Sequence, residues 1–552
     1  MLVRILIAIA AGLALADASI VTLALPPILS DLDTTVQGVA AVIAVYTAVL
    51  AVALIPAAAL QRRVGARWVG TVGFAVFALA GVLCGTADAP APLLVFRGLQ
   101  ALGAAAGLVA AFSLLGAGRA WAGAALLGAA VGPALGGALT EAFDWRAIFL
   151  FQAPVGVLAA LACAASRGRG PSPVWSWPDQ PAPRGVAHAR ALIALAALSA
   201  ALTGVLFLVV LLLISGWSLE PLAAAAVVSI LPLAALAGLQ VRGPASVRAA
   251  AGCGLVAGGV GACAWLPGDS VGWVVAPLVV AGVGMGMGLR ALAGELLPER
   301  TESDAALVLT VRHVGITLAL LLLAPVTAAE LDKAVERTRE RGAALLLDAR
   351  LPPLDKLALA GPLVSQLDPA DPRDGLQRAL EKGAARFADD AEESRTYAEV
   401  SERADEALVA GINEAFRAAF LICAGFALLG AVAALPANRR GVGVALGATA
   451  AALLLPVANA AAVERYAPEQ VQIADPCKPR NLPGTGGIQG ALQDAALAAI
   501  DRAACRFGSS REALALALAD PAAAREYRKE YGVNPRSTGG ILQALLGISP
   551  PG

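Results

Sequence analysis

Leu13-Ala14-Leu15-Ala16-Asp17-Ala18-Ser19-Ile20-Val21-Thr22-Leu23-Ala24-Leu25-Pro26 carries one charge, Asp17, inside an apolar run that covers about 5–28. About 20 apolar residues are enough for a helix to cross the hydrocarbon core of a bilayer, so this run reads as a membrane span. At 1.5 Å rise per residue, Asp17 lies ~18 Å from the start of that span. An ionisable group at such depth is unfavourable by several kcal/mol unless it faces a wet cavity or a partner. Two readings stay open. The carboxylate either titrates or faces a substrate, or it caps a neighbouring helix or holds a fixed ion pair.

Outward from this run the pattern repeats, giving roughly thirteen spans. The further ones are expected at about 36–60, 66–86, 92–116, 120–142, 147–165, 190–214, 222–240, 250–267, 272–294, 303–328, 415–435 and 441–463. Arginine falls in alternate connections: Arg62, Arg63 and Arg67; Arg119; Arg167, Arg169, Arg184 and Arg190; Arg242 and Arg248; Arg300; Arg439 and Arg440. The other connections carry Asp31 and Asp33, Asp88, Glu220 and Asp269, with Arg146 their one basic residue. Positive charge marks the cytoplasmic side, which sets the N-terminus in the cytoplasm. Composition agrees: 58% of residues are hydrophobic, 15% are charged, and mean hydropathy is +0.73. These values do not describe a soluble chain of this length. The zero net charge averages a basic face against acidic outer segments. No cleavable leader is expected, because the first run is too long for a signal h-region and contains Asp17. The excess of arginine over lysine and the abundance of alanine point to a GC-rich bacterial genome, and with the spans give an expected place in a bacterial plasma membrane.

The expected fold is all-α and polytopic. Residues 1–165 form a six-helix half, 166–189 a cytoplasmic Pro- and Gly-rich linker with Trp175 and Trp177, and 190–435 a second half. An insertion at 329–412, rich in charge of both signs, reads as mostly helical and extracytoplasmic. A thirteenth span, 441–463, leads to an extracytoplasmic tail, 464–552. In the tail, Ser509 and Glu512 have capping-box spacing ahead of an alternating Ala/Leu run, and a helix is expected over Ile488–Phe507. Five cysteines, Cys84, Cys163, Cys253, Cys263 and Cys423, lie in spans as small packing residues. Cys477 and Cys505 lie in the tail, outside the reducing compartment, and are expected to form a disulfide, with two free thiols as the alternative.

The Leu15–Pro26 run closely resembles the first-helix signature of the drug:proton antiporters of the major facilitator superfamily, in particular the fourteen-helix branch, with Thr22 where Asn is usual. Further blocks carry the same resemblance. Phe96-Arg97-Gly98-Leu99-Gln100-Ala101-Leu102-Gly103 is similar to the fourth-helix motif, whose arginine the family links to proton coupling. Gly128, Gly132, Pro133, Gly136 and Gly137 resemble the fifth-helix antiport motif. Trp145-Arg146-Ala147-Ile148-Phe149-Leu150-Phe151-Gln152 resembles the entry to the sixth helix, and Thr310-Val311-Arg312-His313-Val314-Gly315 a later block. The resemblance implies two six-helix halves that rock around a central site. It makes Asp17 and Arg97 the proton-coupling candidates, with Thr22, Gln100 and Arg312 as candidates for the substrate cavity. Read on physics alone, Gly132 and Gly136 are spaced for close helix contact and Pro133 removes a backbone donor. One departure stands out. Arg62 occupies the position after the second helix where the family has an aspartate, and Ala58 replaces a glycine.

No catalytic constellation, phosphate-binding lysine loop, paired metal ligands or nucleic-acid-binding pattern is visible, so neither an enzyme nor a cofactor or metal requirement is expected. The expected function is gradient-driven export of a small hydrophobic or amphipathic molecule in exchange for protons. Two alternatives remain: export of a cell-envelope lipid precursor, or a non-transporting scaffold or sensor that contacts envelope material through its extracytoplasmic segments. The arginine pattern generates a direct check. A single cysteine placed at Ser537, in a background lacking the other cysteines, should react with a membrane-impermeant thiol reagent added to intact cells. Labelling only after the membrane is breached would shift the span count by one.

Overall fold

The computed structural model describes residues 1–116, 119–166, 185–298, 301–351, 356, 372–387, 390–468, 471–480, 482–484 and 487–537. Among them every regular element is helical. Most of the expected linker, with Trp175 and Trp177, lies outside the described residues, as does Arg300. The chain divides into two compact units. Unit 1 comprises Met1–Ile214, Leu219–Ala329 and Phe416–Arg465; unit 2 comprises Ser215–Ser218, Glu330–Ala415 and Tyr466–Gly552.

Unit 1 begins with α1 (Leu2–Thr22), α2 (Leu25–Asp31), α3 (Val36–Val64), α4 (Ala66–Gly85), α5 (Pro90–Leu115), α6 (Arg119–Ala142) and α7 (Arg146–Ala165). It continues with α8 (Gly185–Leu211), α9 (Pro221–Val228), α10 (Ile230–Gly238), α11 (Ala245–Ala262), α12 (Gly272–Leu289) and the first part of α13 (Glu302–Asp348). Twelve described helices or helix pairs are long and apolar enough to cross a membrane. The helix α6, with 24 residues, occupies the remaining expected position. Leu79, Val95, Leu161, Leu233 and Leu321 are exposed on these helices. Such apolar faces suit a protein solvated by lipid.

Three expected spans are each two helices. The first stops at Thr22, the eighth at Val228 and the last at Ala452, and Pro26, Pro232 and Pro456 follow each of these residues by four. Proline has no N–H to donate to the carbonyl four residues back, and its ring crowds that carbonyl. The last span is therefore α16 (Arg439–Ala452) followed by α17 (Leu454–Tyr466). Local caps fix other helix starts. Thr35 accepts from Gly38 N–H ahead of α3, and Asn438 accepts from Gly441 N–H ahead of α16, each satisfying an orphan donor. Arg146, the one basic residue among the acidic connections, has a local partner. Its Nη1 lies 2.8 Å from Asp31 Oδ2, and its guanidinium stacks 4.2 Å from the Trp145 ring centroid. The Trp145 indole N–H and Arg146 together hold the Asp31 carboxyl below its ordinary range.

Unit 2 contains the remainder of α13, then α14 (Pro372–Ala384), the first part of α15 (Ala391–Ala433), α18 (Gly487–Phe507), α19 (Arg511–Ala519) and α20 (Pro521–Tyr531). The eleventh and twelfth spans thus do not end where charge begins. They continue as helices of 47 and 43 residues into the charged segment. Cys477 and Cys505 form a disulfide with their Cα atoms 5.0 Å apart. Arg480 donates to Glu512 (3.0 Å) and Arg511 to Asp348 (2.7 Å), which ties the tail helices to the end of α13. Phe387 stacks on Tyr397, their centroids 4.9 Å apart, and Trp217 Nε1 donates to Asn413 (2.9 Å). The expected cap at Ser509 is displaced by one residue. Ser510 caps α19 by accepting from Ala513 N–H, while Ser509 bonds to the Tyr527 hydroxyl at 2.5 Å.

Glycine sets one contact that the site below requires. A methyl group at Gly128 would meet the carbonyl of Gly12, at Gly132 the hydroxyl of Ser19, and at Gly136 the carbonyl of Ile20. The α6 stripe therefore lies directly against the α1 backbone, which is the close approach that small residues allow in membranes. Gly136→Leu should lower thermal stability by about 1–3 kcal/mol through overpacking, seen as earlier loss of the monodisperse peak on heating. Gly425→Leu, at an exposed position with open space around it, should stay near wild type. Equal behaviour of the two variants would contradict the α1–α6 contact.

Candidate functional site

Asp17 on α1 and Arg97 on α5 are both completely buried and face each other. Arg97 Nη2 lies 2.5 Å from Asp17 Oδ2 and Nη1 lies 3.0 Å from Oδ1, a bidentate fork. Such pairs combine charge with fixed geometry. Two further donors are used: Nε donates to Val42 O (3.1 Å) and Nη1 to Gln100 Oε1 (2.7 Å). Gln100 Nε2 donates to Gln152 Oε1 (2.9 Å), and Gln152 Nε2 donates back to Asp17 Oδ1 (3.1 Å). The four side chains close a ring in which Asp17 only accepts. Tyr46 on α3 covers one face of the guanidinium at 4.3 Å, and Phe149 on α7 lies 5.4 Å away. The Tyr46 hydroxyl donates to Ala14 O (3.0 Å).

Removal of two charges from water is strongly unfavourable, and the attraction between them offsets this only with good geometry and satisfied lone pairs. Here both conditions hold. The arrangement is nevertheless conditional on the charge state of Asp17, because a protonated carboxyl is a donor at one oxygen and can no longer accept at every position the ring requires.

Beside the ring is a cavity of about 70 Å³, lined by residues of α1, α3, α6, α8, α10, α12 and α13. Thr22 and Arg312 are in its wall, together with Tyr46, Pro133, His313 and Ser19. Gln100 is not a lining residue; it lies wholly buried in the ring. Tyr46 is shared, with one face toward the cavity and contact to the Arg97 guanidinium. The cavity has room for roughly two water molecules.

The two halves of unit 1 touch on both sides of this cavity. At one end Arg62 Nη1 donates to Ser303 Oγ (3.1 Å), Thr310 donates to Ala51 O (3.2 Å), and Gln61 donates to Ser113 (2.6 Å), which in turn bonds Glu302. At the other end Glu141 accepts from Leu222 N–H (2.8 Å), and Gly137 packs on Pro221 and Ala225. Arg62, which stands where the resemblance expects an acid, is thus a donor across the halves. Sequence reasoning missed Gln152, Tyr46 and the Ser113–Glu302 contact. Gln152 and Tyr46 carried a weak signal as polar groups inside spans; Glu302 reads simply as the first acidic turn of a helix. Among the described residues no group of His, Cys, Asp and Glu is arranged to hold a metal ion.

Comparison with known proteins adds to this geometry. The family model described as Major Facilitator Superfamily matches residues 7–320. The multidrug resistance protein Stp of Mycobacterium tuberculosis is 36% identical over 170 residues, which is 28% of this chain and 32% of that protein. The tetracenomycin C resistance and export protein of Streptomyces glaucescens is 34% identical over 169 residues, 28% of this chain and 31% of that protein. The matched region thus spans about a third of the length of these relatives. Among solved structures, a bacterial homologue of the human lysosomal transporter Spinster, inward-facing and occupied, aligns with a TM-score of 0.52 at 17% identity. That alignment covers 78% of this chain and 96% of the other, a likeness of fold.

The ring predicts an ordering of stabilities. Arg97→Met strands a buried carboxylate and should destabilise the protein by about 3–5 kcal/mol. The double variant Asp17→Asn, Arg97→Gln strands no charge and should recover part of that loss. Thermal denaturation of the three purified proteins checks this; a double variant less stable than Arg97→Met would contradict the pairing.

Proposed function

The chain belongs to the Major Facilitator Superfamily, and we propose that it is a secondary transporter that exports a small amphipathic or hydrophobic molecule in exchange for protons. The observation that carries this reading is the buried Asp17–Arg97 ring sharing Tyr46 with the central cavity. Protonation of Asp17 removes the charge that holds Arg97, and a guanidinium without its counter-charge must move or find another acceptor. Tyr46 packs on that guanidinium and forms cavity wall, so its position registers both events. Proton and cargo then favour different arrangements of the same few side chains, and one drives release of the other.

Contacts between the halves supply the gates. Closure at both ends of a 70 Å³ cavity corresponds to an occluded arrangement, and alternating access opens one end at a time. On the arginine rule the Arg62–Ser303 end faces the cytoplasm and the Glu141–Leu222 end faces outward. The cavity wall mixes aliphatic residues such as Leu15, Leu202 and Leu206 with the polar Ser19, Thr22, Tyr46, Thr203, Arg312 and His313, which suits an amphipathic cargo, and the drug-resistance names of the partial relatives agree with export.

Asp17→Asn keeps the shape of the side chain and removes its titration. In proteoliposomes with an imposed pH gradient, wild-type protein should accumulate at least one member of a panel of amphipathic dyes. Asp17→Asn should lose gradient-driven accumulation by about two orders of magnitude, the scale of a lost proton-transfer group, while eluting as wild type does on size exclusion. Full gradient-driven transport by the variant would remove Asp17 from the coupling role.

A further inference from the structure

Unit 2 contains a second, larger cavity, about 290 Å³, bounded by α13, α14, α15, α18 and α19. Its wall is mainly aliphatic, with Leu346, Leu376, Leu380, Leu497, Ile500 and Leu516. Protein interiors are normally packed to crystal density, and an unfilled void forfeits dispersion contacts on all its sides. This one has room for roughly ten groups the size of a water molecule or a methylene. It shares no residue with the Asp17–Arg97 ring, and no step of the proposed transport uses it.

The polar groups in the wall are what point to a ligand. Gln493 is 6% exposed, lines the cavity, and has no hydrogen-bond partner for either Oε1 or Nε2. Thr338, 5% exposed, also lines it, and its hydroxyl has no partner. Buried amides are almost always satisfied, and one left unpaired on both atoms is unfavourable. The charged lining residues are Lys356 and Arg339; no carboxylate lines the cavity among the described residues. Lys356 is tethered by its Nζ to Leu347 O (2.9 Å). Burial lowers its pKa to about 8, so it remains largely cationic at neutral pH. The wall thus combines an apolar volume, an unpaired amide and positive charge.

We propose that unit 2 binds an anionic single-chain amphipath, a fatty-acid-like molecule whose alkyl chain fills the aliphatic cavity and whose head accepts hydrogen bonds from Gln493 and Lys356. The chain supplies the missing dispersion contacts, and the head satisfies the amide and the ammonium together. Binding here does not depend on proton-coupled export, and the test reads binding directly.

The full-length chain in lipid nanodiscs is photolabelled with dodecanoic acid carrying a terminal diazirine, and the labelled peptides are mapped by mass spectrometry. Label is expected on α13, α14, α15, α18 or α19 within unit 2. Unlabelled dodecanoate should compete about tenfold better than its methyl ester, as a charge-assisted head contact predicts. A lysophosphatidate of the same chain length distinguishes a phosphate-headed lipid from a free fatty acid as the better ligand. Leu497→Trp fills the cavity and should reduce unit 2 labelling by about tenfold, and Lys356→Gln should abolish the preference for carboxylate over ester. If Leu497→Trp fails to form the Cys477–Cys505 bond, Ala515→Phe fills the same space and carries the same expectation. Label confined to unit 1, labelling indifferent to cavity filling, or equal competition by acid and ester would each overturn the proposal.

Discussion

A carboxylate and a guanidinium excluded from all solvent can persist inside a membrane-spanning bundle only if each of their nitrogens and oxygens finds a partner. The Asp17–Arg97 pair meets that requirement by recruiting Gln100, Gln152 and the Val42 carbonyl. The requirement then dictates much of the N-terminal half. Helices α1, α3, α5 and α7 must converge within hydrogen-bond distance of one point, and Tyr46 and Phe149 must close over the guanidinium. Protonation of Asp17 would leave the ring short of an acceptor, because a neutral acid cannot accept all the bonds the ring assigns to it.

Convergence needs short interhelical distances, and the backbone supplies them. The Gly128, Gly132 and Gly136 stripe seats α6 against α1, and Gly282 and Gly286 do the same for α12 against α10, where added methyl groups would meet the carbonyls of Leu231 and Ala235. The proline break at Pro26, in α2, falls one turn after Thr22, a residue of the cavity wall. The antiport-like motif therefore has a clear packing function. Gly137, pressed on Pro221 and Ala225 of the other half, couples that packing to one of the two contacts that close the cavity.

Much of this was legible in the sequence for a simple physical reason: charge in lipid is conspicuous. Asp17 stood out because it is isolated in an apolar run, Arg97 because its block resembles the family's fourth-helix motif, and span positions followed from the length of the apolar runs. What was not legible lacks such a sign. Gln152 lies in the quoted Trp145–Gln152 block, yet an uncharged amide leaves little trace in hydropathy. Gln100 was assigned to the cavity, although its position three residues after Arg97 puts both on one face of α5, toward the ring. The breaks before Pro26, Pro232 and Pro456 escaped notice because hydropathy does not register a missing donor. Similarly, α13 and α15 continue past the membrane pattern because alanine, leucine, glutamate and arginine are all good helix formers; the end of the apolar run is not the end of the helix. Between Ser509 and Ser510, adjacent hydroxyls with similar spacing to Glu512, only three-dimensional geometry selects the cap. The unit 2 cavity has no sequence signature, since its lining is drawn from five helices.

Proton uptake and release by Asp17 within this buried ring is the step on which the proposed function turns. Infrared difference spectroscopy of the full-length protein in nanodiscs, recorded between neutral and acidic buffer with and without a transported amphipath, reads this directly. The account predicts a carbonyl band of a neutral carboxylic acid that appears on acidification, shifts when the amphipath is present, and is missing from the Asp17→Asn spectrum. An identical band in wild type and Asp17→Asn, or a wild-type spectrum with no neutral-acid band at any pH at which the protein transports, would contradict it.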